Sequence, residues 1–327
     1  MSTPPRGKLG LPELAAMKRR GEKIVMVTAY DAPGARFAED AGIDLLLVGD
    51  TAAMVVLGHE STTVPVTVEE MLFLTRTVAR AAQRPIVIGD MPFGSYEVSD
   101  QEAVSNAIRF VKEGGADVVK LEGAGTSVSR ARAIVAAGIP VMGHIGLTPQ
   151  SATMLGGFKT QGKTAKRALA LLSEALDLQN AGCFSLVLEA VPSAVASRIT
   201  ELVEIPTFGI GAGAGCDGQV LVYHDLLGLT EGHLPRFVKR YANLSGEIKG
   251  ALGAYAEEVR SGAFPDEEHA YSMDEAELAE FEAALESRST IGESHAHPRQ
   301  AIHPRDEGIS SPGSSENITE SRRRPSG

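Results

Sequence analysis

Three short apolar runs, each stopped by an acid, constrain this chain more than any other feature. Leu45-Leu46-Leu47-Val48-Gly49 ends at Asp50, Ile86-Val87-Ile88-Gly89 ends at Asp90, and Val118-Val119-Lys120-Leu121 ends at Glu122. Consecutive apolar residues read as a strand buried on both faces, as in a parallel sheet covered by helices. An isolated carboxylate is too costly to continue into such a core. Each acid therefore marks the C-terminal mouth of its strand, and three such mouths suggest a shared site.

The rest of the chain fills in around these runs. Leu11 to Arg20 has helical spacing with Pro12 near its start, and Ile24 to Ala29 reads as a strand. Tyr30 to Gly34 is turn-like, and a helix follows over Ala35 to Asp40. Thr67, with Glu69 and Glu70 behind it, announces a helix over Val68 to Ala82. Another spans Asp100 to Glu113 and stops at Gly114-Gly115. Further strands are expected at Ile139 to Gly143, Ser185 to Leu188, Thr207 to Ile210 and Gln219 to Val222. Helices at Val128 to Ala137, Thr164 to Ala181 and Ala194 to Glu201 separate the strands from Val118 to Ile210.

Eight strands alternating with helices predict an α/β fold, a TIM (β/α)8 barrel with an N-terminal helix and a C-terminal extension. A doubly wound open sheet is the rival. The barrel is expected within residues 1–272, with a last helical stretch, Pro235 to Arg260, packed outside it. A short acidic helix is expected over 273–287, with Leu278, Phe281 and Leu285 on one face. Residues 288–327 have almost no large apolar side chains and are expected to be disordered. His295, His297 and His303 there read as solvated, and Arg322-Arg323-Arg324 as an exposed charge run.

Bulk properties exclude several functions. A net charge of −11 argues against nucleic acid, whose binders present a basic face. No stretch reaches the roughly 20 apolar residues of a membrane span. Cys183 and Cys216 form neither a CxxC pair nor a disulfide framework, which fits a reduced, cytoplasmic interior.

In a barrel all strand C-termini open on one face, where the active site sits. The strand ends collect Asp50, Thr51, Asp90, Lys120, Glu122, His144 and Glu189. Several carboxylates with all-oxygen character suit Mg²⁺, and the shortage of Cys and His argues against zinc. Lys120 lies two residues before Glu122, so both face the same side; inside a barrel it must meet carboxylates or an anionic substrate. His144 is either a core histidine or a site residue. Glu189 is either a cap or a general base. The glycine run Gly209 to Gly215 tempts a dinucleotide reading, but no normal helix follows it and the expected acid is poorly matched. A tight loop approaching a ligand closely fits better. No GxSxG elbow or GxxxxGK[ST] loop is present.

Taken together these strand ends resemble the ketopantoate hydroxymethyltransferase family. The matching segments are Thr28-Ala29-Tyr30-Asp31, Val48-Gly49-Asp50 with Gly58-His59 and Pro65-Val66-Thr67, and Gly89-Asp90-Met91-Pro92-Phe93. Val119 to Gly123, Gly143 to Gln150, Leu188 to Pro192, Gly209 to Gly215, Cys216 to Gln219 and His224-Asp225 follow in order. The resemblance covers about residues 8–272. It implies a Mg²⁺-dependent barrel of the phosphoenolpyruvate/pyruvate type, commonly a decamer. It also implies transfer of a hydroxymethyl group from 5,10-methylenetetrahydrofolate to 3-methyl-2-oxobutanoate, giving 2-dehydropantoate for pantothenate and coenzyme A. By position, Asp50 and Asp90 would hold the metal with Glu122 in or behind its shell. Asp50, Thr51, Asp90 and Lys120 would bind the oxo acid, and Glu189 would accept the proton.

The sequence departs from the family at Gly49-Asp50-Thr51-Ala52-Ala53-Met54, where the usual pattern is Gly-Asp-Ser-Leu-Gly-Met. Thr51 keeps the hydroxyl and adds a methyl. Two rival functions remain. One is a carbon–carbon lyase or phosphonate mutase on the same barrel; resemblance to those lyases would call for a cysteine in the loop after strand five, and Ile145 to Lys166 contains none. A nucleotide-binding regulatory module would use the glycine run.

Overall fold

The computed structural model describes residues 7–154, 156–232 and 234–292. His295, His297, His303 and Arg322-Arg323-Arg324 of the expected tail lie outside the described residues, and the acidic helix expected over 273–287 spans Glu275–Gly292, so residues 288–292, expected to be disordered, continue it. The first half of the chain runs α1 (Leu11–Arg20), β1 (Ile24–Thr28), α2 (Ala32–Asp40), β2 (Leu45–Val48), α3 (Ala52–Val55), α4 (Val68–Ala81), β3 (Ile86–Asp90) and α5 (Asp100–Lys112). Then come β4 (Val118–Glu122), α6 (Thr126–Ala136), β5 (Val141–Gly146), α7 (Ala165–Asn180), β6 (Ser185–Glu189) and α8 (Ser193–Leu202). The series closes with β7 (Thr207–Ile210), β8 (Gly218–Leu221), α9 (Tyr223–Leu226), α10 (Leu244–Ser261) and α11 (Glu275–Gly292). All eight strands pair in parallel and in sequence order, and β8 pairs back onto β1, so the sheet is a closed barrel. The described residues divide into two compact units that part between Ala256 and Glu257. Among the described residues no helix is long and apolar enough to cross a membrane.

Local signals explain most element boundaries. Before α4, the Thr67 hydroxyl accepts the Glu70 N–H at 3.2 Å while Glu70 Oε2 accepts the Thr67 N–H at 2.8 Å. This reciprocal cap satisfies two end groups and contributes about 1 kcal/mol. Two expectations need correction. The helix expected from Ala35 begins at Ala32, because Asp31 caps it by accepting the Gly34 N–H at 2.7 Å and Pro33 is tolerated in a first turn. The stretch expected to be helical from Pro235 becomes so only at Leu244. Tyr241 and Leu244 donate their N–H groups to the carbonyls of Leu226 and Leu227, so this backbone returns to the end of α9.

Alternation along each strand divides the core into two clusters. Leu46, Val48, Val87, Val119, Leu121, Val141, Leu186 and Leu188 face outward and pack under the helices. Met26, Leu45, Leu47, Ile86, Ile88, Val118, Met142, Val187, Phe208 and Val220 fill the barrel, and Leu14 and Met17 of α1 join them. The N-terminal helix therefore belongs to the interior cluster and completes it. The inward column of each strand starts apolar; the chemistry lies where it stops being so.

Candidate active site

Counting by twos up the inward columns, Ile86 and Ile88 lead to Asp90, Val118 to Lys120 and Glu122, Met142 to His144, and Val187 to Glu189. Strand register then decides the neighbours. Asp90 is paired with Lys120 across β3 and β4, and Glu122 with His144 across β4 and β5. Lys120 Nζ donates to both Asp90 oxygens, at 2.7 and 2.8 Å, and lies 3.7 Å from Glu122 Oε1. His144 Nδ1 is 3.1 Å from Glu122 Oε1. Its Nε2 is 3.3 Å from Glu189 Oε2, at an angle that makes no hydrogen bond. Asp50, just past β2, donates its N–H to Asp90 Oδ2 at 3.1 Å. The mouth holds about 410 Å³ of empty space counted to its open end, and Thr28, Asp50, Thr51, Lys120, Glu122 and Glu189 are among its lining.

All the residues singled out in the sequence thus meet at one end of the barrel. Thr51 is there too, its hydroxyl sharing a 2.7 Å hydrogen bond with the Tyr30 hydroxyl. Glu189 is the most accessible of the acids, with 14 % of its side chain exposed against 2 % for Glu122 and Asp90. It is therefore the carboxylate an entering ligand meets most readily.

The electrostatics are those of crowded buried charge. Burial, then the charges of Asp90 and Glu122, push the Asp50 carboxyl up to about 7. Burial also raises Asp90, against the pull of Lys120. For Lys120, burial acts to remove the proton, but Asp90, Glu122 and Asp50 outweigh it and keep the ammonium charged. Glu122 is held below the usual carboxylate range, because His144 and Lys120 overcome the cost of burial. His144 is likewise driven up to about 9: burial opposes its charge, and Glu122 more than restores it. A buried ammonium and a buried imidazolium thus face four carboxyl groups.

Three contributors were not singled out from the sequence. Gln150, just after β5, donates from Nε2 to Asp50 Oδ2 and to the Met91 carbonyl, both at 3.0 Å, and its own N–H goes to Glu122 Oε2 at 3.1 Å. Tyr96 donates its hydroxyl to Gln150 Oε1 and accepts the Glu122 N–H at 3.2 Å. Tyr30 holds Thr51. All three lie in loops after strands, the face where barrel sites form, and Tyr30 and Gln150 also fall within the segments that carry the family resemblance.

The end of β6 is shaped by backbone constraint. Ala190 has φ 49°, unusual for a residue with a Cβ, directly after Glu189. Opposite it, Gly146 has φ 100°, and a Cβ there would stand 2.3 Å from the Glu189 carbonyl oxygen. Only glycine lets β5 approach so closely, and Leu147 uses the approach to donate its N–H to that carbonyl at 2.9 Å. The glycine run 209–215 also serves close packing: a Cβ on Gly211 would meet the Phe237 ring at 2.6 Å, and one on Gly213 or Gly215 would meet Ser193 or Ser197 of α8. Those glycines face protein, which removes the observation behind the dinucleotide reading.

Asp50, Asp90 and Glu122 were expected to ligate a metal. Among the described residues no three Asp, Glu, His or Cys side chains are placed as a metal's ligands; Lys120 Nζ stands between Asp90 and Glu122 instead. The donor set still suits a hard divalent cation. It is all oxygen, and Asp50 is driven towards its protonated form by burial and then by the charges of Asp90 and Glu122, which a cation would offset.

Residues 8–267 match the family model for ketopantoate hydroxymethyltransferase. The 3-methyl-2-oxobutanoate hydroxymethyltransferase of Carboxydothermus hydrogenoformans is 55 % identical over 81 % of this chain and 96 % of its own length. That of Moorella thermoacetica is 56 % identical over 81 % of this chain and 98 % of its own. Among solved structures, the phosphoenolpyruvate phosphomutase of Streptomyces platensis subsp. rosaceus superposes with a TM-score of 0.52 at 15 % identity, covering 88 % of this chain and 99 % of that one, which speaks for the barrel alone.

Proposed function

The chain belongs to the ketopantoate hydroxymethyltransferase family, and on that premise we propose that it moves a hydroxymethyl group from 5,10-methylenetetrahydrofolate to 3-methyl-2-oxobutanoate, making 2-dehydropantoate. Such a reaction breaks the C3–H bond of the oxo acid and forms a C3–carbon bond to the folate's methylene. Water supplies the new hydroxyl oxygen, and tetrahydrofolate leaves. The carbon at the formaldehyde level is the folate's contribution; the protein must bind, orient and move protons.

The observation that carries the reading is the accessible Glu189 facing a buried, paired cationic and anionic cluster across one mouth. Glu189 takes the C3 proton, facing the charged His144 across a 3.3 Å ion pair that leaves the Nε2 hydrogen unbonded. Lys120 keeps positive charge beside the place where the oxo acid's oxygens enter, which favours the enolate over the ketone. Thr51, anchored by Tyr30, presents its hydroxyl to the oxo acid's carboxylate. Asp50 and Asp90, with Glu122, would hold Mg²⁺, which when bound supplies Lewis-acid polarisation of the oxo acid's carbonyl. We assign the enzyme no nucleic-acid or membrane partner, place it in the cytoplasm, and expect a homo-oligomer, a decamer by family resemblance.

The test is exchange of the C3 hydrogen of 3-methyl-2-oxobutanoate in deuterium oxide, followed by proton NMR with and without Mg²⁺ and folate. Exchange should need Mg²⁺ and proceed without folate. Glu189→Gln should bind the oxo acid and fail to exchange it. Wild-type exchange in that variant removes Glu189 as the base.

A further inference from the structure

Gln150 is 6 % exposed and sits outside every role assigned so far. Its side-chain amide can adopt only one orientation. The Met91 carbonyl is an acceptor and nothing else, so the nitrogen must face it, and that nitrogen's second hydrogen then points to Asp50 Oδ2. The amide oxygen is left for Tyr96; it carries no hydrogen, so the Tyr96 hydroxyl must donate to it while accepting the Glu122 N–H. The backbone N–H of Gln150 returns to Glu122 Oε2. Glu122, Tyr96 and Gln150 form a closed ring of hydrogen bonds running in one sense, and from the Gln150 amide nitrogen it branches to the Met91 carbonyl and to Asp50. Pro149, just before Gln150, lines the mouth, so this loop reaches the site as well as bracing it.

We propose that Gln150 is a positioning residue that sets the mutual placement of the Asp50 and Glu122 carboxylates for a divalent cation, with Tyr96 fixing its amide. This rests on the functional reading above. Among the described residues only Gln150 is hydrogen-bonded to both carboxylates, through its side-chain amide to Asp50 and its backbone N–H to Glu122. Groups that orient metal ligands typically govern metal affinity by 10- to 100-fold without touching the metal.

Mn²⁺ binding to the intact protein, followed by the electron paramagnetic resonance of free Mn²⁺ and by calorimetry, tests this apart from turnover. Wild type should bind one Mn²⁺ per chain and Asp90→Ala should lose it. Gln150→Leu should bind about 10- to 100-fold more weakly, with circular dichroism like wild type. Its C3 exchange should recover at saturating Mn²⁺, since Gln150 does not touch the reacting atoms. Tyr96→Phe should weaken binding in the same direction by less, and it decides the matter should Gln150→Leu not fold. Unchanged Mn²⁺ affinity in Tyr96→Phe and Gln150→Leu, beside a wild type that binds and an Asp90→Ala that does not, overturns this inference alone. A wild type that binds no Mn²⁺ overturns it together with the functional reading.

Discussion

Gly146→Ala is the most direct probe of how the backbone holds Glu189. An added Cβ would lie 2.3 Å from the Glu189 carbonyl oxygen and 2.8 Å from Val191 Cγ2, where ordinary contact begins at 3.4 Å. Relief therefore needs a shift of about 1 Å between β5 and β6. Two costs combine. Holding a residue with a Cβ at φ 100° costs about 1–3 kcal/mol, and overpacking costs about 1–3 kcal/mol more. Near the middle of that range, about 4 kcal/mol, the midpoint of thermal unfolding should fall by roughly 8–16 °C. Gly138→Ala isolates the first cost, because Gly138 has φ 88° with nothing within 4 Å of its Cβ position. Urea denaturation of both variants should leave a difference of about 1–3 kcal/mol attributable to the clash. The same shift moves the backbone of Glu189 itself, so C3 exchange should drop by about 100-fold, while Gly138→Ala keeps wild-type exchange. Equal stabilities in the two variants, or full exchange in Gly146→Ala, would show that the close approach of β5 to β6 does not position the base.

Two further outcomes follow from the buried charges and thiols. Lys120→Met strips Asp90 of both short Nζ contacts and should cost about 3–5 kcal/mol in urea denaturation, partly regained on adding Mg²⁺; a loss below about 1 kcal/mol contradicts the pairing. Cys183 is covered and its thiol is pushed up to about 12 by burial, and Cys216 is fully covered and raised for the same reason. Ellman's reagent at mildly alkaline pH should therefore label both in urea and neither in the native protein, and rapid native labelling would contradict their placement.

Why the barrel could be anticipated is visible in Leu45 to Asp50 and its two counterparts. Strands covered on both faces have no polar face to disguise them, and the first charge after the run marks the strand end. The same logic placed Asp90, Lys120 and Glu122 at one mouth, because side chains two apart on a strand face the same side. Gln150 was harder. It lies in a loop, its partners come from β2, β3 and β4, and nothing local distinguishes it from a surface glutamine. Tyr96 and Tyr30 failed to stand out for the same reason. The false start at Pro235 shows the complementary limit. Residues 235–243 carry a tolerable helical composition, but Tyr241 gives its N–H to the Leu226 carbonyl and Leu244 gives its own to Leu227, a tertiary pairing no window of sequence contains. The glycine run misled through chemistry, since glycine admits a neighbouring side chain as readily as a phosphate, and here the neighbours are Phe237, Ser193 and Ser197.

The charge cluster also bears on whether this mouth is a site or a structural accident. A buried ion pair is weak support for a fold, and well-packed apolar residues of similar volume often serve stability as well or better. Beneath Asp90 and Lys120 the barrel does use apolar residues, Ile86, Ile88 and Val118 on the same inward columns. One layer up it holds an ammonium, an imidazolium and four carboxyl groups, three of the latter from strand ends that could have carried valine. Packing does not require that change of composition, and the desolvation it entails opposes folding. The arrangement is also unbalanced: Asp50 sits near its protonation point, and His144 Nε2 is buried without a hydrogen bond. A cluster kept for stability would be expected to satisfy its members. One that leaves acid oxygens and an imidazole N–H uncommitted at an open mouth is arranged for something that enters, and its excess of carboxyl groups sets the charge of the cation it would accept.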